Sequence, residues 1–229
     1  MLNSDQMKRS PHCGSSLSLY RGLGIALRVL LISALLTITS TISSCEVEFT
    51  PEPIPQAFPE QPEVLPLSGY ELQYEADRWN DGGRIQLSTN CYAYVLDRPT
   101  GPPGMTFLQP GQLSGESFTS MSDINAEKII EFTKADAEFA GFSFEATTAD
   151  HACTVGTYKI ALVVHPLKDY HWYRQNPDGT WSGKSGQTAV TDQDASGNVV
   201  YDPRAADRDY RPRGWGLNYT VFGGFFCTG

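Results

Sequence analysis

The sequence predicts an α+β domain in which helices come first and a twisted antiparallel sheet follows. Residues 122–140 carry an apolar stripe at helical spacing, and several short apolar or alternating segments follow between residues 142 and 227. Turn sequences separate these segments, the clearest being Asn-Pro-Asp-Gly at 176–179, which is typical of a hairpin. Helices followed by a run of strands are the α+β order.

The individual elements are predicted from caps, breakers and periodicity. A short helix begins near Asn90. A longer helix begins at Ser122, whose hydroxyl can cap it, and ends at Gly141. The last strand contains a Gly-Gly pair at 223–224 that predicts a bulge. The strands are predicted over 142–146, 158–164, 170–174, from 181 onward and over 219–227.

The N-terminal segment is typical of an export signal. Residues 1–28 contain four basic residues and one acid, and residues 29–42 are uncharged and mainly apolar. That apolar run is shorter than the roughly 20 residues a membrane-spanning helix needs, and it matches a signal-peptide core. The segment Ile42-Ser-Ser-Cys45 is similar to a bacterial lipobox, which predicts lipidation of Cys45. An ordinary signal peptide is the alternative.

Three segments are therefore expected: a lipoprotein signal peptide over 1–45, a disordered Pro-rich tether over 46–68 and a single domain over 69–229. The location expected is exported and lipid-anchored in the cell envelope, at the outer membrane if the host is Gram-negative. The whole chain has a net charge of −9, and without residues 1–45 it has 13 basic and 25 acidic residues, a net charge of −12. This acidic balance argues against electrostatic binding of nucleic acid.

Cys91 is the candidate nucleophile because it lies at the start of the predicted short helix. A helix N-terminus favours the thiolate form of cysteine, and thiolate attack on a carbonyl needs a nearby base. His171, on a predicted downstream strand, is the candidate base, in the order found in papain-like enzymes. The residue that orients the imidazole remains open among Asp192, Asp194, Asn198 and Asp202, and Asp194 is the working choice. Cys91 and His171 as buried structural residues are the alternative interpretation.

The cysteine count bears directly on this hypothesis. Cys91, Cys153 and Cys227 follow the predicted signal peptide, and outside the cytoplasm two of them can pair. A Cys153–Cys227 disulfide is preferred because it leaves Cys91 reduced. Pairing of Cys91 with either of the others would remove the enzyme hypothesis.

A second candidate site is a calcium loop over 192–199. Asp192, Asp194 and Ser196 place oxygen atoms at positions one, three and five, and Gly197 occupies position six. Pro203 stands where a bidentate glutamate is usual, so a hairpin turn rich in Asp and Gly is the favoured alternative. No cofactor is required by the hydrolase hypothesis, and calcium is the one candidate ligand.

Several motifs together resemble a family of uncharacterised secreted bacterial proteins. They are Asn90-Cys-Tyr-Ala-Tyr94, Asp169-Tyr-His-Trp-Tyr-Arg174, Asp178-Gly-Thr-Trp-Ser-Gly-Lys184, Thr191-Asp-Gln-Asp-Ala-Ser-Gly197, Asp202-Pro203 and Phe222-Gly-Gly-Phe225. The resemblance covers roughly 88–227, and its cysteine-then-histidine order is distantly similar to papain-like and NlpC-like amidases. It implies an arrangement of that type. This chain departs from the W-S-H-K-P-G motif of the family, because Gly183 replaces the histidine and Ser185 the proline.

Two functions are expected from these observations. In the first, the chain is a membrane-anchored cysteine hydrolase, an amidase or peptidase, that acts on peptidoglycan peptides or another extracytoplasmic peptide. In the second, it is a non-catalytic lipoprotein domain that binds a peptide, a glycan or an envelope protein through an aromatic groove. The residues expected to line that groove are Tyr92, Tyr94, Trp172, Trp181 and Arg174.

Overall fold

The computed structural model describes residues 63–99 and 107–229. The helices are α1 (Ala76–Trp79), α2 (Arg84–Ser88), α3 (Cys91–Val95) and α4 (Ala126–Ala140), with short 3₁₀ turns at Met121–Asp123 and Arg211–Arg213. The strands are β1 (Phe144–Thr147), β2 (Tyr158–His165), β3 (Asp169–Gln175), β4 (Trp181–Lys184), β5 (Val190–Thr191) and β6 (Val221–Thr228). They form one antiparallel sheet in the order β1-β6-β2-β3-β4-β5. The α+β class is confirmed.

The longest helix differs from the prediction only at its start. α4 begins at Ala126, because the side chain of Asn125 accepts the N–H of Lys128 and so caps the helix. Ser122 instead lies in the preceding 3₁₀ turn. Gly141 ends the helix in the left-handed conformation, with φ of 73°, as predicted. None of the helices in the described ranges is long and apolar enough to span a bilayer.

The two faces of the sheet bury different sets of side chains, because neighbouring residues of a strand point to opposite faces. Leu162 and Trp172 pack with the residues of α3 on the first face. Val163 and Tyr173 pack on the second face, against Tyr219 and other residues of the 192–220 connection. The bulge predicted at 223–224 is present, since the register shifts where β6 pairs with Leu162 and Val163.

Part of the segment predicted as tether belongs to the folded domain. The Leu65 side chain is buried on the second face of the sheet, and its carbonyl accepts the side-chain N–H of Gln175 at 2.8 Å. The proline pattern did not reveal this contact, which depends on a strand more than 100 residues away. The predicted signal peptide, Cys45 and residues 46–62 lie outside the described residues.

Candidate functional site

Cys91 is the first residue of α3, as the sequence predicts. The side chain of Asn90 caps this helix by accepting the N–H of Ala93 at 3.1 Å. The thiol is only 5% exposed and is reduced. It lies against the edge of β3, where it donates to the carbonyl of Tyr170 at 4.0 Å.

The surroundings of Cys91 raise the pKa of its thiol, whereas the start of a helix was expected to lower it. Burial raises the pKa of its thiol to about 12, the nearby charge of Asp169 acts in the same direction, and the N–H of Trp172 offsets only part of the effect. α3 has five residues, and its partial positive charge does not outweigh the loss of solvation. The Cys91 thiol is therefore protonated at neutral pH, and its role as a nucleophile stays a prediction.

His171 is on the second face of the sheet, beside two tyrosine rings. Its ring centroid lies 4.8 Å from that of Tyr173 and 5.9 Å from that of Tyr219. Burial lowers the pKa of His171 to about 4, so the ring is neutral at pH 7. Within residues 63–99 and 107–229, no hydrogen bond joins this ring to Cys91 or to Asp194. His171 thus belongs to the second face of the sheet, whereas Cys91 packs with the residues of the first face.

Asp194, the working choice for the orienting acid, instead holds a turn together. One carboxylate oxygen accepts the N–H groups of Ser196 and Asn198, each at 2.9 Å, and the other accepts the N–H of Asp207 at 3.1 Å. Among the described residues no group of three or more His, Cys, Asp or Glu side chains is arranged to hold a metal ion. Asp194 and Ser196 lie in a turn closed by the Gln193–Val199 bridge, and Asp192 immediately precedes that bridge. The calcium loop stays a prediction.

The expected aromatic groove is absent from the surface that the structure describes. Tyr92, Tyr94, Trp172 and Trp181 are completely buried, and Arg174 is 1% exposed. The Arg174 guanidinium packs over the Tyr94 ring, 4.1 Å from its centroid, and donates to the carbonyl of Tyr94 at 3.1 Å. These side chains form the core because both sides of β3 and β4 are covered. Sequence alternation alone does not distinguish a covered strand from an exposed one.

Cys91 and His171 nevertheless line the same cavity, which lies beside the first half of β3 and has a volume of about 360 Å³. Asp169 and Tyr219 also line it, and the Tyr219 hydroxyl donates to the Asp169 carboxylate at 2.9 Å. Trp215, on the long connection between β5 and β6, forms part of its wall. Sequence reasoning missed Trp215 and Tyr219, since neither lies in a pattern that carries chemistry. Asp169 belonged to a recognised motif but received no role.

Comparison with known proteins identifies one relative. No family model and no solved structure matches the chain. The chain is 35% identical over 137 residues to insoluble matrix shell protein 1 of the clam Ruditapes philippinarum. The alignment covers 59% of this chain and 81% of the clam protein. The chain belongs to the family of insoluble matrix shell protein 1.

Membership of the insoluble matrix shell protein 1 family corrects three sequence-based expectations. The assignment to a secreted bacterial family is wrong, because the relative is a eukaryotic protein. The function as a bacterial lipoprotein, whether a hydrolase or a binding domain, is wrong for the same reason. The bacterial and membrane-anchor descriptions are likewise unsupported, whereas an exported location agrees with a relative from a shell matrix.

The structure also contains the disulfide that the cysteine count favoured. Cys153 and Cys227 are bonded, with their Cα atoms 5.6 Å apart. The bond joins the segment before β2 to the end of β6, and these two strands are neighbours in the sheet. Cys91 pairs with neither of these residues.

Proposed function

We propose that this chain is a secreted structural protein of an extracellular matrix. The observation that carries the proposal is the alignment with insoluble matrix shell protein 1, which extends over 81% of that protein. An alignment of that extent spans most of a domain and is not confined to one motif. The matrix role named for the clam protein is therefore the best supported role for this chain.

The chemistry of the domain supports a structural role over a nucleophilic one. The thiol of Cys91 is protonated because burial raises its pKa, and the neutral ring of His171 lies on the other face of the sheet. The Cys153–Cys227 disulfide constrains a chain segment with a separation of 74 residues. Such a crosslink favours persistence of the folded state outside the cell, where disulfides are stable.

Fractionation of the source tissue or culture tests the proposal. An antibody raised against the domain is used to follow the full chain through soluble extracellular, cell-associated and insoluble extracellular fractions. We expect the chain in the insoluble extracellular fraction, resistant to salt and to non-ionic detergent. Recovery in the cytosol, or in freely soluble secreted material alone, would contradict the proposal.

A Cys45→Ala variant separates matrix retention from lipid anchoring. The matrix role predicts that the wild-type and variant chains are retained in the insoluble fraction to the same extent, because retention in a matrix does not depend on an acyl group. Partition of only the wild-type chain into the detergent phase of a Triton X-114 separation would contradict the matrix role. The variant leaves the described domain unchanged, since residue 45 precedes it.

A further inference from the structure

The cavity beside β3 results from the short length of β4. Pairing between these strands extends only from Tyr173 to Gln175 on β3. The edge of β3 before Tyr173 therefore faces a space of about 360 Å³, bordered by the 185–188 turn and by parts of the 107–109 and 215–219 segments. Its size lies within the range of small-molecule sites, and its wall is mostly apolar.

His171 supplies an unused polar group to this cavity. The side chain is 4% exposed, and within the described ranges neither ring nitrogen has a hydrogen-bond partner. A neutral imidazole offers one N–H donor and one lone-pair acceptor. Neither ring nitrogen is among the fully buried side-chain atoms that lack a partner in the described residues. A ligand hydroxyl that enters the cavity can therefore hydrogen-bond to the ring in place of solvent.

The cavity disfavours charge. Burial raises the pKa of the Asp169 carboxyl and of the Cys91 thiol, and it lowers the pKa of His171. In each case the charged form is the one penalised, and the negative charge of Asp169 in the wall adds repulsion against an anionic ligand. Among the described residues that line the cavity there is no lysine or arginine to neutralise an anion.

The walls favour a flat aromatic ligand. Phe107, Tyr170 and Tyr219 line the cavity together with Trp215. The Trp215 ring is 44% exposed, and it stacks on Tyr210 with centroids 5.2 Å apart and planes 7° apart. That stacking fixes the orientation of a half-exposed indole, and aromatic rings pack favourably on such a surface.

We propose that this cavity binds an uncharged aromatic ring carrying a hydroxyl group, that is, a phenol. The ring packs against the aromatic walls, and the hydroxyl forms a hydrogen bond with the neutral imidazole of His171. The proposal does not depend on the matrix role, because it rests on the cavity alone. A phenol has two sources, a free small molecule and the end of a tyrosine side chain.

Isothermal titration calorimetry of the wild-type chain with three matched ligands tests the chemistry. We expect saturable binding of p-cresol, binding of 4-methylanisole about tenfold weaker because its ether cannot donate, and no saturable binding of 4-methylbenzoate. Equal affinity for all three, or no saturation with p-cresol, would overturn the proposal. Saturable binding of N-acetyltyrosinamide identifies a tyrosine side chain as the source, and binding of p-cresol without it identifies a free phenol.

Three variants test the location. Trp215→Ala removes half-exposed aromatic surface and is expected to weaken p-cresol binding at least fivefold, and His171→Gln is expected to reduce the preference for p-cresol over 4-methylanisole. Phe139→Ala is the control, because Phe139 is 73% exposed on α4 and does not line the cavity. Unchanged binding in Trp215→Ala would overturn the proposal even if His171→Gln failed to fold.

Discussion

The imidazole of His171 lies directly against the backbone of Gly183 on the neighbouring strand. A β-carbon built on Gly183 would overlap the Nε2 atom of His171 and would also approach the carbonyl of Trp172 to 3.1 Å. Gly183 pairs with Tyr173, two residues beyond His171, so both side-chain positions belong to the same face. Glycine is required here by space and not by a left-handed backbone. The absence of a side chain at 183 is what leaves room for the imidazole of His171 on the second face.

The first prediction is that Gly183→Ala destabilises the domain by about 1–3 kcal/mol, the usual cost of overpacking a close-packed core. The free energy of unfolding is measured by urea denaturation. The matched control is the same substitution in a His171→Ala background, where the overlap with the imidazole is gone and the cost should fall to the part caused by the Trp172 carbonyl. An equal cost in both backgrounds would contradict the contact.

The second prediction concerns stability at acid pH. The pKa of His171 is about 4 in the folded protein, against an ordinary value of 6.5, so the unfolded chain binds more protons between these values. Stability should therefore fall as the pH is lowered from 6.5 to 4, by about 3 kcal/mol. Urea denaturation at several pH values measures this slope.

Two histidine variants test whether His171 causes this fall in stability between pH 6.5 and pH 4, which is measured as the slope of stability against pH. His171→Gln should remove most of it, because the titrating group is gone. His151→Gln is the control, since the His151 side chain is 74% exposed, and it should retain the wild-type slope. A slope of wild-type size in the His171 variant would exclude His171 as its source.

The third prediction concerns the reactivity of Cys91. Because burial raises its pKa to about 12 from an ordinary 9.0, iodoacetamide should label the native thiol only slowly between pH 7 and 9. The chain unfolded in urea should be labelled rapidly at the same pH. Mass spectrometry locates the label, and rapid native labelling at pH 7 would show that the thiol is not shielded.

The fourth prediction is that a Cys153→Ser/Cys227→Ser variant loses about 4 kcal/mol of stability. The estimate follows from the loop entropy released when a crosslink across a 74-residue separation is removed. Denaturation of the wild-type protein with and without reductant provides the control. Reductant should lower the wild-type stability towards that of the variant and leave the variant unchanged.

The local elements were predictable because their signals are local. The hairpin turn at 176–179, the end of α4 at Gly141 and the bulge in β6 each follow from a few adjacent residues. The disulfide could be preferred but not established, because cysteine pairing depends on the separation of Cα atoms. Helices α1 and α2 were missed, since each has four or five residues and too little periodicity to detect.

The limit of prediction from sequence is clearer at the candidate site. The sequence identified Cys91 at the start of a helix and His171 on a strand, and both placements are correct. Whether the two side chains meet depends on which face of β3 packs against α3, and no residue in the sequence specifies that. The burial that raises the pKa of Cys91 comes from the packing of the whole domain around it.

The sequence by itself determined the α+β class, the main secondary-structure elements and the acidic balance, because periodicity, turn residues and charge are properties of neighbouring or summed residues. Only the tertiary structure decided that the aromatic residues form a core, that Asp194 serves a turn, and that a cavity opens where β4 ends. These outcomes depend on contacts between distant segments, such as Leu65 with Gln175 or Tyr219 with Asp169. The burial that those contacts create sets which groups can carry charge.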